Sequence, residues 1–321
     1  MLRLTGAFGP YDRTEALRNG SVQPEGIDLN CLTLYPPDIF YRMCRYQEFD
    51  VSEMSLGSHC YFVAEGNSPF VGMPSFLSRV FRHSMVYVNN ESPIEKPEDL
   101  SGKSIAIREW GQTAFVWIIG LLAEEYGLDI LSVNWIQESD PRVPLQYPKG
   151  MRIRTMTKGE NLSNLLESGK VDAALIHQVP ECYREGSTQV RRLFEDFKKY
   201  EIDYYRRTGV SPIMHCAVIR NEIHEREPWA IRSLYHALCD AKSLAIENIQ
   251  DYGALSASVP LLPAVMEETI SIFGEDFWPY GMKANRNTLE KLVLYAYQQK
   301  VTSRQLEIEE LFEESVYEDN F

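Results

Sequence analysis

The sequence predicts an α/β chain folded as two lobes, the second inserted into the first. Three observations point there. Short β-branched and aromatic runs alternate with segments of helical period, which is the pattern of mostly parallel sheets with helices on their faces. The pattern pauses at Asn89-Asn90 and restarts from Pro97-Glu98-Asp99-Leu100-Ser101-Gly102-Lys103. A return strand, Met214 to Ile219, then precedes a run of helices, so the chain leaves one lobe and comes back to it.

Taken in order, Leu2 to Phe8 alternate as a strand, and Gly6, Gly9 and Pro10 open a turn into a short helix, Thr14 to Arg18, capped by Asp12 or Thr14. Ile27 to Leu34 is a second strand. Pro36-Pro37-Asp38 starts a helix whose Ile39, Phe40, Met43 and Tyr46 share a face, and Phe49 to Ser55 returns as a third strand. Gly57 to Ala64 forms a further helix and Phe70 to Met73 a strand. Phe81-Arg82-His83-Ser84-Met85-Val86-Tyr87-Val88, bounded by Asn89-Asn90 and Pro93, reads as the strand that crosses to the second lobe. That lobe holds a strand Ser104 to Ile107, a helix Thr113 to Tyr126 with Phe115, Ile118, Ile119 and Leu122 on one face, and a strand Val133 to Ile136. A proline-rich irregular passage, Pro141 to Lys149, leads to a helix Leu162 to Ser168 and a strand Val171 to Ile176. Thr208 to Ile219 brings the chain back, and Trp229 to Ile249, Pro263 to Phe273 and Asn285 to Gln299 are helices. The expected lobes are therefore 1–88 with 212–321, and 89–211. Loops at the carboxyl ends of the strands converge between such lobes, where a ligand cleft is expected.

Composition narrows the function. At 321 residues with 44% hydrophobic content, the chain can bury two cores. Its formal charge of −14 and dispersed acids, up to an acidic tail Glu307 to Asp319, argue against nucleic acid, which needs a basic stripe. No apolar run long enough to span a membrane occurs, and Met1-Leu2-Arg3-Leu4-Thr5 lacks a secretory pattern, so a cytoplasmic location is expected. The six cysteines show no Cys-x-x-Cys spacing and read as buried reduced thiols.

Two phrases, Pro97 to Lys103 before a strand and Leu166-Glu167-Ser168-Gly169-Lys170-Val171-Asp172-Ala173-Ala174, resemble those of type II periplasmic solute-binding proteins. More specific phrases follow in order: Tyr11-Asp12-Arg13-Thr14, Asp50-Val51-Ser52-Glu53-Met54-Ser55, Phe81-Arg82-His83-Ser84, Thr113 to Gly120, Pro212-Ile213-Met214-His215, and Trp278-Pro279-Tyr280-Gly281 with Asn285-Arg286. Together they resemble the 4,5-dihydroxyphthalate decarboxylase family, cytosolic enzymes on the periplasmic-binding-protein-like fold. The resemblance implies a decarboxylase of a hydroxylated aromatic carboxylate, with a small aromatic acid as its partner. Gly9-Pro10, Ile176-His177-Gln178 and Ser139 to Lys149 depart from the family's phrases, which leaves room for a different aromatic acid. The alternatives are a non-catalytic binding protein for a small organic anion, and another lyase on this fold resembling chorismate dehydratase.

Such a reaction needs a general acid at the ring carbon and cations for carboxylates. Arg82 and His83 suit those tasks, although strand alternation sends them to opposite faces, and His83 is the one expected to face the cleft as proton donor. His215 lies on the other crossing segment. Glu53, beside Ser52 and Ser55 in a buried strand, needs a partner, most simply Arg82 or His83. Ser52, Asp12 and Arg13 are expected at the substrate, with helix capping as the rival role of Asp12. Arg108 and the helix start at Thr113 offer a carboxylate site, and Trp110 either stacks on the ring or packs internally. Tyr280 and Arg286 read as a structural turn. No cofactor is expected; the alternative is a divalent metal held by His83, His215 and Glu53. Tyr295 and Tyr297 are candidates for a homo-oligomer interface, against packing within the chain.

Overall fold

A computed structural model describes residues 1–317, so the end of the acidic tail, including Asp319, lies outside the described residues. The chain forms two compact units: Met1–Arg79 with Ile213–Leu289 and the described residues from Glu307, and Val80–Pro212 with Glu290–Leu306. The first changeover therefore falls at Arg79 and Val80, before the crossing strand that the sequence placed in the first lobe. Residues 290–306 also go with the second unit.

The first unit begins with β1 (Leu2–Phe8), α1 (Asp12–Arg18), β2 (Ile27–Thr33), α2 (Pro36–Tyr46), β3 (Val51–Ser55), α3 (Leu56–Ala64) and β4 (Phe70–Arg79). The second unit holds a 3₁₀ turn at His83–Met85, β5 (Val86–Asn89), β6 (Ser104–Ile107), α4 (Thr113–Tyr126), β7 (Asn134–Gln137), β8 (Arg152–Thr155), α5 (Leu162–Glu167), β9 (Ala173–Leu175), α6 (Glu181–Arg184), β10 (Val190–Arg192) and α7 (Phe197–Thr208). The chain returns through β11 (Ile213–Arg220), α8 (Asn221–Arg226), α9 (Trp229–Gln250), α10 (Leu262–Phe273) and α11 (Arg286–Gln298).

The first sheet has the order β2-β1-β3-β11-β4. β1 runs parallel to β2 and β3, whereas β11 is antiparallel to both β3 and β4. β3 is buried along its whole length, as a strand covered on both faces must be. β4 runs past Pro74 to Arg79, and its pairing with β11 slips on either side of His215. A bulge tolerates the proline's missing N–H and re-aims neighbouring side chains, which matters for His215 below. The second sheet has the order β10-β5-β9-β6-β7-β8, with β9, β6, β7 and β8 mutually parallel and β5 antiparallel to β9 and β10.

Several local expectations change. Tyr11, rather than Asp12 or Thr14, precedes α1, without a side-chain cap. Thr14 instead turns its hydroxyl back to the Gly9 carbonyl at 3.0 Å. Tyr46 ends α2 in solvent, while Ile39, Phe40 and Met43 are buried. In the crossing stretch only Val86–Asn89 is a strand; Val80 to Arg82 carry no regular structure and His83 opens the 3₁₀ turn. The alternation argument for Arg82 and His83 therefore has no strand to act on. The acidic C-terminal segment is anchored by buried Ile308, Leu311, Phe312 and Val316. The six cysteines form no disulfide among the described residues, and Cys31 and Cys44 are only half-buried. No described helix is long and apolar enough to cross a membrane.

The family-type phrase near Trp278 is a hydrogen-bonded turn. Trp278 Nε1 donates to the Phe76 carbonyl at 2.8 Å, Gly281 N to the Pro74 carbonyl at 2.8 Å, and buried Asn285 to the Pro279 and Gly281 carbonyls. Tyr295 is buried, which removes it from any interface: its ring meets Trp117 edge-on at 5.8 Å and its hydroxyl donates to Glu124. That packing depends on Gly120, where an added Cβ would stand 2.2 Å from the Tyr295 ring. Gly120→Ala is expected to destabilise the protein by about 1–3 kcal/mol through overpacking, read as a lower urea midpoint. An unchanged midpoint would contradict this packing.

Candidate active site

The first unit gathers its chemistry on the loop after β1 and on the adjoining strands β3 and β11. Glu53 is fully buried in β3, opposite Ala217 of β11 and diagonal to His215, which pairs with Ser55. A diagonal neighbour is within reach of long side chains, and the bulge in β11 helps bring the imidazole across. His215 Nδ1 lies 2.6 Å from Glu53 Oε1. The Tyr11 hydroxyl donates to the same oxygen at 2.7 Å, and the Gly9 N–H donates to Oε2 at 3.0 Å. Both carboxylate oxygens are thus engaged, as burial requires.

Each partner has a reason to be there. Tyr11 folds its ring back over Gly9, where any Cβ would stand 2.6 Å from that ring and 3.1 Å from Glu53 Oε2. Burial, then the Glu53 charge, pushes the Tyr11 phenol well above its usual range, so it remains a donor. The His215 ring rests edge-on against Phe40 at 4.7 Å and its side chain is 19% exposed. With Nδ1 facing Glu53, Nε2 is left as the working nitrogen: an acceptor when the ring is neutral and a second donor when it is protonated.

Of the neighbouring candidates, Arg13 is engaged by groups of the protein itself. Arg13 gives Nε to the Leu77 carbonyl at 2.8 Å and Nη1 to Asp12 at 3.0 Å. Its guanidinium lies between the rings of Tyr11 and Trp278, at 4.1 and 4.4 Å from their centroids. Asp12 is exposed and accepts from the Arg13 backbone N–H at 2.7 Å. Ser52 is buried, and its Oγ has no hydrogen-bond partner among the described residues.

The second unit holds the remaining candidates. His83 is buried, with its ring against Phe194, Tyr200 and Tyr204 at 5.2, 6.4 and 5.8 Å. Burial, helped by Arg207, pushes its pKa down to about 4. An imidazole that is neutral near pH 7 and walled by aromatic rings is poorly suited to deliver a proton, which corrects the expectation for His83. Half-buried Arg82 is held down to about 10 by burial, opposed by the charge of Glu201. Glu201, on α7, accepts from the Ser84 backbone N–H at 3.4 Å. The charge acting on Arg82 is that of Glu201, while Glu53 takes His215 in place of its expected partners. No group of three His, Cys, Asp or Glu side chains among the described residues is arranged to hold a metal ion, so His83, His215 and Glu53 do not form that set.

Trp110 is buried, donates Nε1 to the Gln299 carbonyl at 3.1 Å and meets Trp135 edge-on at 5.3 Å, so it packs rather than stacks on a ligand. Thr113 is buried at the start of α4, behind Gln112. Arg108 follows β6 and lines a cavity together with Glu138, Ser163, His177 and Arg184. Two residues that hold Glu53 escaped the sequence reading: Gly9 and Tyr11. Gly9 and Tyr11 stood in quoted phrases, and their spacing after a strand was the available signal.

The chain is 34% identical over 317 residues to a 4,5-dihydroxyphthalate decarboxylase of Comamonas testosteroni, covering 97% of this chain and 96% of that one. It is 34% identical over 221 residues to a protein of the same name from Pseudomonas putida, covering 67% and 86%. No family model matches the chain. Among solved structures it is similar to the periplasmic aliphatic sulphonate binding protein of Escherichia coli, with a TM-score of 0.57 at 12% identity over 99% of each chain. A periplasmic sulfonate-binding protein of Methylobacillus flagellatus gives a TM-score of 0.54 at 13% identity, over 98% of this chain and 92% of that one. At those identities the likeness is one of fold, and it establishes the periplasmic-binding-protein-like architecture.

The buried groups around the 3₁₀ turn give a pH signature. Burial lifts Glu201 from 4.5 to about 7, against the backbone N–H groups of Ser84 and His83 and the Arg82 charge. The folded state then binds more protons than the unfolded state between those values, and this contribution to stability is lost as pH rises through about 7. His83 acts oppositely, losing stability as pH falls from 6.5 to about 4. Urea unfolding across this range should show Glu201→Gln gaining on the parent as pH rises, and NMR should find the His83 ring titrating near 4. A ring titrating at 6.5 would contradict the burial.

Proposed function

The chain belongs to the 4,5-dihydroxyphthalate decarboxylase family, and on that premise we propose that it removes one carboxyl group from a hydroxylated aromatic carboxylate, with His215 as proton donor and Glu53 as its support. The observation that carries the assignment is the 2.6 Å contact between His215 Nδ1 and the buried Glu53 carboxylate. It fixes the ring and leaves Nε2 to act.

In 4,5-dihydroxyphthalate each carboxyl group stands para to a hydroxyl. Electron donation from that oxygen makes the carboxyl-bearing carbon basic enough to take a proton. The imidazolium Nε2 delivers it, a C–H bond forms, and the ring briefly loses aromaticity. The bond to the carboxylate then breaks, its electron pair returns to the ring, and carbon dioxide leaves. One carboxylate and one proton become an aromatic C–H and carbon dioxide, so the product is 3,4-dihydroxybenzoate, and water reprotonates His215. Among the described residues the Glu53 carboxylate is hydrogen-bonded to His215, Tyr11 and Gly9, which makes it a positioning residue.

Purified protein incubated with 4,5-dihydroxyphthalate is expected to yield 3,4-dihydroxybenzoate and carbon dioxide, followed by mass spectrometry. Loss of water would indicate another lyase, and failure across a panel of hydroxylated benzoic diacids would sink the reading. His215→Asn is expected to lower kcat by about 10²–10⁴, with KM changed little. A His215→Asn enzyme with the parent's kcat would remove His215 from the role.

A further inference from the structure

The second unit carries a cavity of about 280 Å³ at the carboxyl ends of its parallel strands. Arg108 follows β6, Glu138 follows β7 and Ile176 follows β9, with Ser163 and Glu181 supplied by α5 and α6. Ligands of open α/β sheets bind at this edge, where loops rather than core side chains line the space. The volume lies at the small end of the range for small-molecule sites.

The chemistry of the lining is unusual for so acidic a chain, of formal charge −14. Two arginines line one cavity, and among the described residues neither is closely paired. Arg108 Nε stands 4.0 Å from Glu138 Oε2, and Arg184 Nη2 stands 3.9 Å from Glu181 Oε1. Both separations are too long for a hydrogen bond. An arginine fork fits a carboxylate in a two-point, charge-assisted arrangement. The same cavity holds two carboxylates, Glu138 and Glu181, which can accept from hydroxyl groups, and apolar wall from Leu162, Ile176 and Val179, which suits the face of a ring.

We propose that this cavity is a recognition site for a hydroxylated aromatic carboxylate: Arg108 and Arg184 hold the carboxylate, Glu138 and Glu181 accept from the ring hydroxyls, and the apolar wall covers the ring. The inference rests on the decarboxylase reading for the identity of the acid alone. Recognition here and proton transfer at His215 are separate claims with separate tests.

Phthalate carries carboxylates but no activating hydroxyl, which makes it an unreactive probe. Calorimetric titration of the full-length protein with phthalate is expected to show binding that the Arg108→Gln, Arg184→Gln double variant weakens about tenfold or more, the scale of a lost charge-assisted hydrogen bond. The single variant Arg108→Lys, which keeps the charge and loses the fork, should fall between. Glu138→Gln should narrow the preference for 3,4-dihydroxybenzoate over benzoate. Thermal unfolding midpoints check that each variant is folded. A folded double variant that binds phthalate like the parent, or a parent that does not bind it, overturns the proposal. If turnover fails while the arginine variants still weaken phthalate binding, only the reaction assignment falls. Full turnover with the double variant at the parent's KM removes the cavity proposal alone.

Discussion

The first unit is arranged around a buried carboxylate. An ion such as Glu53 costs several kcal/mol to desolvate unless its oxygens are taken up by donors. The sequence supplies them from distant places: a backbone N–H at Gly9, a phenol at Tyr11 and an imidazole at His215. Each supply carries its own condition. Gly9 must lack a side chain so that Tyr11 can fold over it, β11 must return between β3 and β4, and the pairing of β11 must slip where His215 points. The geometry proposed for catalysis then follows from a requirement of folding, because the same contacts that satisfy Glu53 fix the ring of His215.

The architecture was legible because it is written in hydrophobic period. β1, β2, β3 and β6, and the helices α2, α4 and α9, stand close to where alternation and helical spacing put them. Glu53 was legible as an anomaly, a charge in the middle of a buried strand. Its partner was not: strand pairing is non-local, and nothing in the order of residues says that β11 inserts beside β3. Proximity in sequence made Arg82 and His83 attractive partners, yet the contact that forms spans 162 residues.

The misreading of His83 has a physical cause as well. Phe81 to Val88 has strand composition, but its first half forms no ladder and a 3₁₀ turn begins at His83. What surrounds that ring comes largely from α7, Phe197–Thr208, a helix rich in charge whose only buried residue is Tyr204. Phe197, Tyr200 and Tyr204 do recur at helical spacing in α7, but the charged residues between them hid the helix from the sequence reading. It nevertheless supplies Tyr200, Tyr204, Arg207 and Glu201 around the 3₁₀ turn. Trp110, left open between a ring platform and internal packing, takes the second place: its indole N–H is satisfied by the Gln299 carbonyl inside the core.

The central claim is that Glu53 acts through His215, and a double-mutant cycle on turnover tests it most directly. Two groups that work as one unit are strongly non-additive. The account predicts that Glu53→Gln lowers kcat in the parent but has almost no further effect once His215→Asn is present. Equal losses in both backgrounds would contradict it, since Glu53 would then act independently of the imidazole it holds.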